Sequence, residues 1–147
     1  FNQYGSFGHY PLNRTTWWSE GLAEFIAHGQ CFARGMDNVA GRPATERPSL
    51  ADILHLDYDK GGEMVYSWSY TVHRFLSETG RGASWLAMAR ALRGPDREQA
   101  MSAFEAELDQ LIANGSEAYQ QWLGRELLPW WEANKDSDEC KANDSSH

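Results

Sequence analysis

Glu20, Glu24 and His28 recur at intervals of four along Trp17 to Gly29, and Cys31 follows three positions later. In a helix of 3.6 residues per turn the three side chains share one face. Carboxylates and imidazoles are the groups that bind metals or move protons. Leu22 and Ile26 take the opposite face, so burial does not account for the polar stripe. Three readings compete. The plainest is a solvated face, the default for any surface helix. A metal site built on this helix alone is a poor second, because residues eight apart are too far separated to share one small ion. The third is that Glu20 joins ligands supplied from elsewhere. Catalytic zinc takes three protein ligands and leaves one position for water. One such set is two His from a His-Glu-x-x-His helix and a Glu from a second helix. That Glu must point inward near its own first turn, with small neighbours for close approach, and Gly21 and Ala23 are small. Glu24, one turn on, is placed to accept a hydrogen bond from a ligating imidazole, which fixes its tautomer.

The elements that must position this stripe read as helices. Thr15 or Thr16 caps the first, which runs to about Gly29. Phe32 to Pro48 holds scattered Gly and Pro and reads as a loop. Ser49-Leu50-Ala51-Asp52 has the form of a capping box opening a short helix towards His55. Asp57 to Gly62 is turn-like. Met64, Val65, Trp68, Val72, Phe75 and Leu76 mark an amphipathic helix that Thr79-Gly80 stops. Ala83 to Arg93 is a further helix. Asp96 opens another, carrying Met101, Phe104, Leu108 and Leu111 to Asn114-Gly115, and Ser116 caps the last, with Pro129 near its end. The residues before Asn13, with Gly5, Gly8 and Pro11 among aromatics, read as an irregular loop. No strand alternation stands out. The expected fold class is all-α, with short loops.

Composition narrows the function. The chain has 147 residues, 21 acidic against 13 basic, for a formal net charge of -8. There is no Lys/Arg cluster, which argues against nucleic-acid and anionic-membrane partners. No apolar run has the length of a membrane span. The two cysteines, Cys31 and Cys140, permit a disulfide, but their number leaves the question open. The first residues carry no Met, basic segment or apolar segment of a leader, so the expectation is that the chain starts inside a longer protein.

The segment Trp17-Trp18-Ser19-Glu20-Gly21-Leu22-Ala23-Glu24-Phe25 resembles the Trp-aromatic-x-Glu-Gly-x-Ala-Glu-aromatic segment of the bacterial collagenases. These are the M9 family of gluzincin metallopeptidases, and the Vibrio-type branch is the most similar. Phe1 to Asn13 looks like the family's loop before this helix. Ser49-Leu50-Ala51-Asp52-Ile53 looks like its next helix start, and Tyr66-Ser67-Trp68-Ser69-Tyr70 like the aromatic helix that follows. The resemblance implies Glu20 as third zinc ligand, Glu24 in support and Tyr70 as the donor that stabilises the oxyanion. For Tyr70 a core aromatic at helical spacing is an equal reading. His9, His55 and His73 match no motif position and read as surface or capping histidines, with His73 partly buried beside Val72.

The resemblance further implies a secreted, extracellular zinc endopeptidase acting on peptide or collagen-like substrates, and leaves open whether the intact protein also uses calcium. Residues 1–80 would be the C-terminal part of the catalytic subdomain, 81–131 a helical helper subdomain and 132–147 a linker or disordered tail. No His-Glu-x-x-His occurs in the chain. In the family that motif gives two ligands and the general base, and it lies just before the residue that Phe1 resembles. The expectation is therefore a fragment whose partner is the upstream part of the same peptidase, and which alone is inactive. The alternative is a non-catalytic helical module that mediates protein contacts.

Overall fold

The computed structural model describes residues 13–145, all of whose regular elements are helical. The expectations for residues 1–12, including the aromatic loop and His9, lie outside the described residues. In chain order the helices are Asn13–His28 (α1), Ala33–Ala40 (α2), Leu50–Leu54 (α3), Tyr58–Gly61 (α4), Met64–Glu78 (α5), Gly82–Leu92 (α6) and Arg97–Trp122 (α7). A π-helical turn, Leu123–Leu127, leads into Leu128–Asn134 (α8), and Asp138–Ser145 (α9) follows. A 3-10 turn, Ala44–Glu46, links α2 to α3.

Helix α5 is the axis of the fold. Every residue from Ser67 to Leu76 is buried, so the helix is enclosed all round and not on one face as its apolar spacing suggested. Burying its polar residues is tolerated because nearly all find partners. Thr71 Oγ1 donates to the Trp68 carbonyl at 2.6 Å and pairs with the Tyr119 hydroxyl at 2.6 Å. Arg74 Nε donates to Glu78 at 2.6 Å and its Nη1 to the Gln30 carbonyl at 3.2 Å, with the guanidinium 4.5 Å over the Trp130 ring. Helices α1, α2 and α6 pack directly on α5, and α7 closes the far side against α3 and α6. Phe104 of α7 lies under Trp17 and Trp18, while Tyr119 and Trp122 edge onto Phe75.

Gly29 stops α1 as the sequence suggests: its φ is +58°, and its N–H bonds the Phe25 carbonyl at 2.8 Å. The capping box is present, Ser49 Oγ accepting from the Asp52 N–H at 3.0 Å and Asp52 accepting from the Ser49 N–H at 3.3 Å.

Three expectations are corrected. The stretch after Phe32 is not all loop: α2 forms there, seating Met36 and Val39 in the core with buried Gly35 against the Phe32 ring. Helix α7 runs unbroken through Asn114-Gly115. A mid-helix Gly costs about 1 kcal/mol, but Gly115 is buried, and a Cβ there would lie 3.0 Å from Leu111 and 3.8 Å from Phe75. Ser116 accordingly does not cap; its hydroxyl bonds back to the Ile112 carbonyl at 2.5 Å. Finally, residues 138–145 are not a disordered tail. They form α9, and Cys140, 2% exposed, is disulfide-bonded to Cys31 at the end of α1.

Candidate metal-ligand helix and cleft

Helix α1 packs tightly on α5 at Gly21. A Cβ on Gly21 would stand 2.5 Å from the Ser69 carbonyl oxygen and 2.7 Å from His73 Cδ2, so only glycine permits this approach. The small residue thus serves the contact with α5, while Ala23 lies exposed on the other side. Glu20 and Glu24 are each half-buried.

Glu20 is held by a residue that spacing alone does not reveal. The Tyr58 hydroxyl of α4 donates to Glu20 Oε2. Partial burial, then the bond to Glu20 and its charge, and last the nearby Tyr66, push the Tyr58 hydroxyl up to about 12. Tyr58 is therefore a protonated donor at neutral pH, and the carboxylate is fixed as its acceptor. Tyr58 was hidden because α4 has four residues, too few for periodicity, in a segment that reads as a turn.

Glu24 faces an imidazole of its own helix: His28 Nε2 lies 3.9 Å from Glu24 Oε2. The His28 ring stacks on Phe32, centroids 4.6 Å apart and planes 12° apart. Both residues line a cleft of about 730 Å³ between α1, α2 and the start of α5, with Asp37, Glu63 and Tyr66 around it. Tyr66 is 40% exposed and Tyr58 57%.

Tyr70 is elsewhere. It has no exposed surface, and its hydroxyl donates to the Gly29 carbonyl at 2.5 Å, tying the end of α1 to α5. Burial, opposed by Arg74, pushes its pKa up to about 12. A phenol that stabilises an oxyanion must aim its O–H at open space, whereas the Tyr70 proton is committed inside the core. The core reading, held level with the catalytic one from sequence, is the one this geometry supports. Tyr66, one turn earlier on α5, is the tyrosine that reaches the cleft.

His55 caps as expected from its place at the end of α3, with Nδ1 2.7 Å from the Ala51 carbonyl. His73 is wholly buried, more deeply than its neighbour Val72 implied.

Among the described residues no three His, Cys, Asp or Glu side chains gather so as to hold a metal ion. Glu20 fits one ligand position and no more. Its Oε2 accepts from Tyr58, and a carboxylate retains lone pairs enough to bind an ion as well.

A family model for the M9 peptidases, described as collagenase, matches residues 1–122. A microbial collagenase of Vibrio alginolyticus is 30% identical over 79 residues, which is 53% of this chain and 9% of the relative. The chain thus aligns with under a tenth of that protein's length. No solved structure matches. The match spans α1 with Glu20, the cleft and all of α7, and the chain belongs to the M9 collagenase family of peptidases.

Proposed function

We propose that these residues are part of a secreted zinc metalloendopeptidase of collagenase type, and that Glu20 is one of its zinc ligands. The observation that carries the reading is the Glu20 carboxylate, held half-buried on α1 by the Tyr58 hydroxyl in a segment that fits the family pattern. The remaining ligands and the general base would come from a His-Glu-x-x-His helix in the upstream part of the same peptidase. Zinc bound there supplies a Lewis acid that polarises the peptide carbonyl and lowers the pKa of a water molecule.

This chain's own groups then have distinct tasks. Glu20 contributes an anionic oxygen whose rotamer Tyr58 restrains. Glu24 accepts a hydrogen bond from an imidazole and sets its orientation. Tyr66, exposed at the cleft, donates its O–H to the carbonyl oxygen as negative charge develops, the task the family resemblance implies for Tyr70. The cleft receives a peptide or collagen-like substrate.

Glu20→Gln in the complete peptidase tests the reading. Loss of both bound zinc and peptide hydrolysis is expected, and retention of both overturns it. The second reading, a non-catalytic contact module, draws on Ile26, 75% exposed on α1. It predicts that Glu20→Gln changes nothing.

A further inference from the structure

His73 is the one imidazole among the described residues with no exposed surface, and both its nitrogens are engaged. The Trp85 indole N–H of α6 points at Nδ1 from 3.1 Å. An indole N–H only donates, so Nδ1 is the acceptor and the proton sits on Nε2. Nε2–H in turn donates to the Trp18 carbonyl of α1 at 3.0 Å. Three indoles surround the ring, with centroids at 5.0 Å for Trp17, 4.9 Å for Trp18 and 6.0 Å for Trp85. The contact partner on α1 is backbone, two residues before Glu20. One residue after Glu20, Gly21 abuts the same imidazole and the Ser69 carbonyl.

We infer that His73 is a positioning residue for Glu20, fixing the height and rotation of the α1 turn that presents the carboxylate. The inference rests on Glu20 being a zinc ligand. A ligand must be held to about 0.5 Å and 10–20° by the groups behind it. Tyr58 restrains the Glu20 side chain through its hydroxyl, and His73 restrains its backbone from the core side. Trp85 sets the tautomer that makes the second restraint work. The chain of contacts runs from α6 through α5 to α1, so a residue far along the sequence bears on the site.

The test uses the complete peptidase, with zinc affinity read by chelator competition and the thermal stability of the zinc-free form measured alongside. His73→Phe fills the space without either hydrogen bond; zinc affinity should fall about tenfold, the lower end for outer partners of a metal site. His73→Gln, which keeps a donor and an acceptor, should restore part of the loss. Arg74→Met, which breaks a core contact away from the Glu20 turn, should lower stability and leave zinc affinity unchanged. If His73→Phe lowers stability but binds zinc as the parent does, the inference is overturned. If His73→Phe does not fold, Trp85→Phe decides: it removes the N–H that holds Nδ1 while keeping an aromatic side chain, and unchanged zinc affinity overturns the inference. Glu20→Gln run in parallel separates the two claims. Unchanged affinity there removes the ligand reading itself, whereas loss there with no effect at His73 removes only the positioning role.

Discussion

The Tyr58 hydroxyl and the Glu20 carboxylate, 38 residues apart in sequence, form a direct hydrogen bond on the open side of α1. Tyr58→Phe removes the donor and leaves the ring. Because Tyr58 is 57% exposed, the stability change should be small, within about 1 kcal/mol. Zinc affinity of the complete peptidase should drop, because Glu20 gains rotamer freedom that binding must remove. Urea unfolding and a zinc titration measured together check both halves. A large stability loss with unchanged zinc affinity would make the bond a fold contact only.

Gly21→Ala should destabilise the chain by roughly 2 kcal/mol or more, the scale of overpacking against a neighbour that cannot yield. The obstacle is the Ser69 carbonyl, which is backbone. Gly82→Ala is the control, because a Cβ there meets nothing within 4 Å. Thermal unfolding of the two variants should separate them clearly.

The Cys31–Cys140 disulfide closes a loop with a sequence separation of 109. A loop of that size implies about 2–5 kcal/mol of stabilisation through the unfolded chain. Cys140→Ser should lower the urea midpoint by a corresponding amount. It should also release α9, seen as faster amide exchange over 138–145. Equal exchange in both forms would mean that α9 holds without the bridge.

Burial lowers the His73 pKa from 6.5 to about 3, against hydrogen bonds to the Trp18 and Trp17 carbonyls that act the other way. Between those values the unfolded chain carries a proton on this residue and the folded chain does not. Stability contributed by the neutral imidazole is therefore complete above pH 6.5 and is lost as pH falls towards about 3. The slope is up to about 1.4 kcal/mol per pH unit. Unfolding free energies across that range should fall less steeply for His73→Gln. Identical slopes would show that other groups set the acid sensitivity.

Much of this arrangement could be read from the sequence where a local rule acts alone. Gly29 ends α1 and Ser49 and Asp52 cap α3 because those signals need no tertiary partner. What escaped depends on packing. Gly115 looks like a helix stop, yet it lies buried within α7, where a Cβ would crowd Leu111 at 3.0 Å. The polar residues of α5 suggested a solvent-facing side, but Thr71, His73 and Arg74 are paired across helices that no local pattern specifies. Cys140 anchors a segment whose composition is that of a tail. At the candidate site, spacing and family likeness single out Glu20 and Glu24, and their roles stand as proposed. Tyr70 and Tyr66 stand four apart on one helix, and only the depth of each along α5 tells which reaches the cleft.

The most direct measurement of the central claim is the zinc coordination sphere of the complete peptidase, from a crystal structure with anomalous scattering at the zinc edge. The account predicts a Glu20 oxygen at about 2.0–2.2 Å from the ion, completing a set of three protein ligands. A zinc ion with three protein ligands that do not include Glu20 would contradict it.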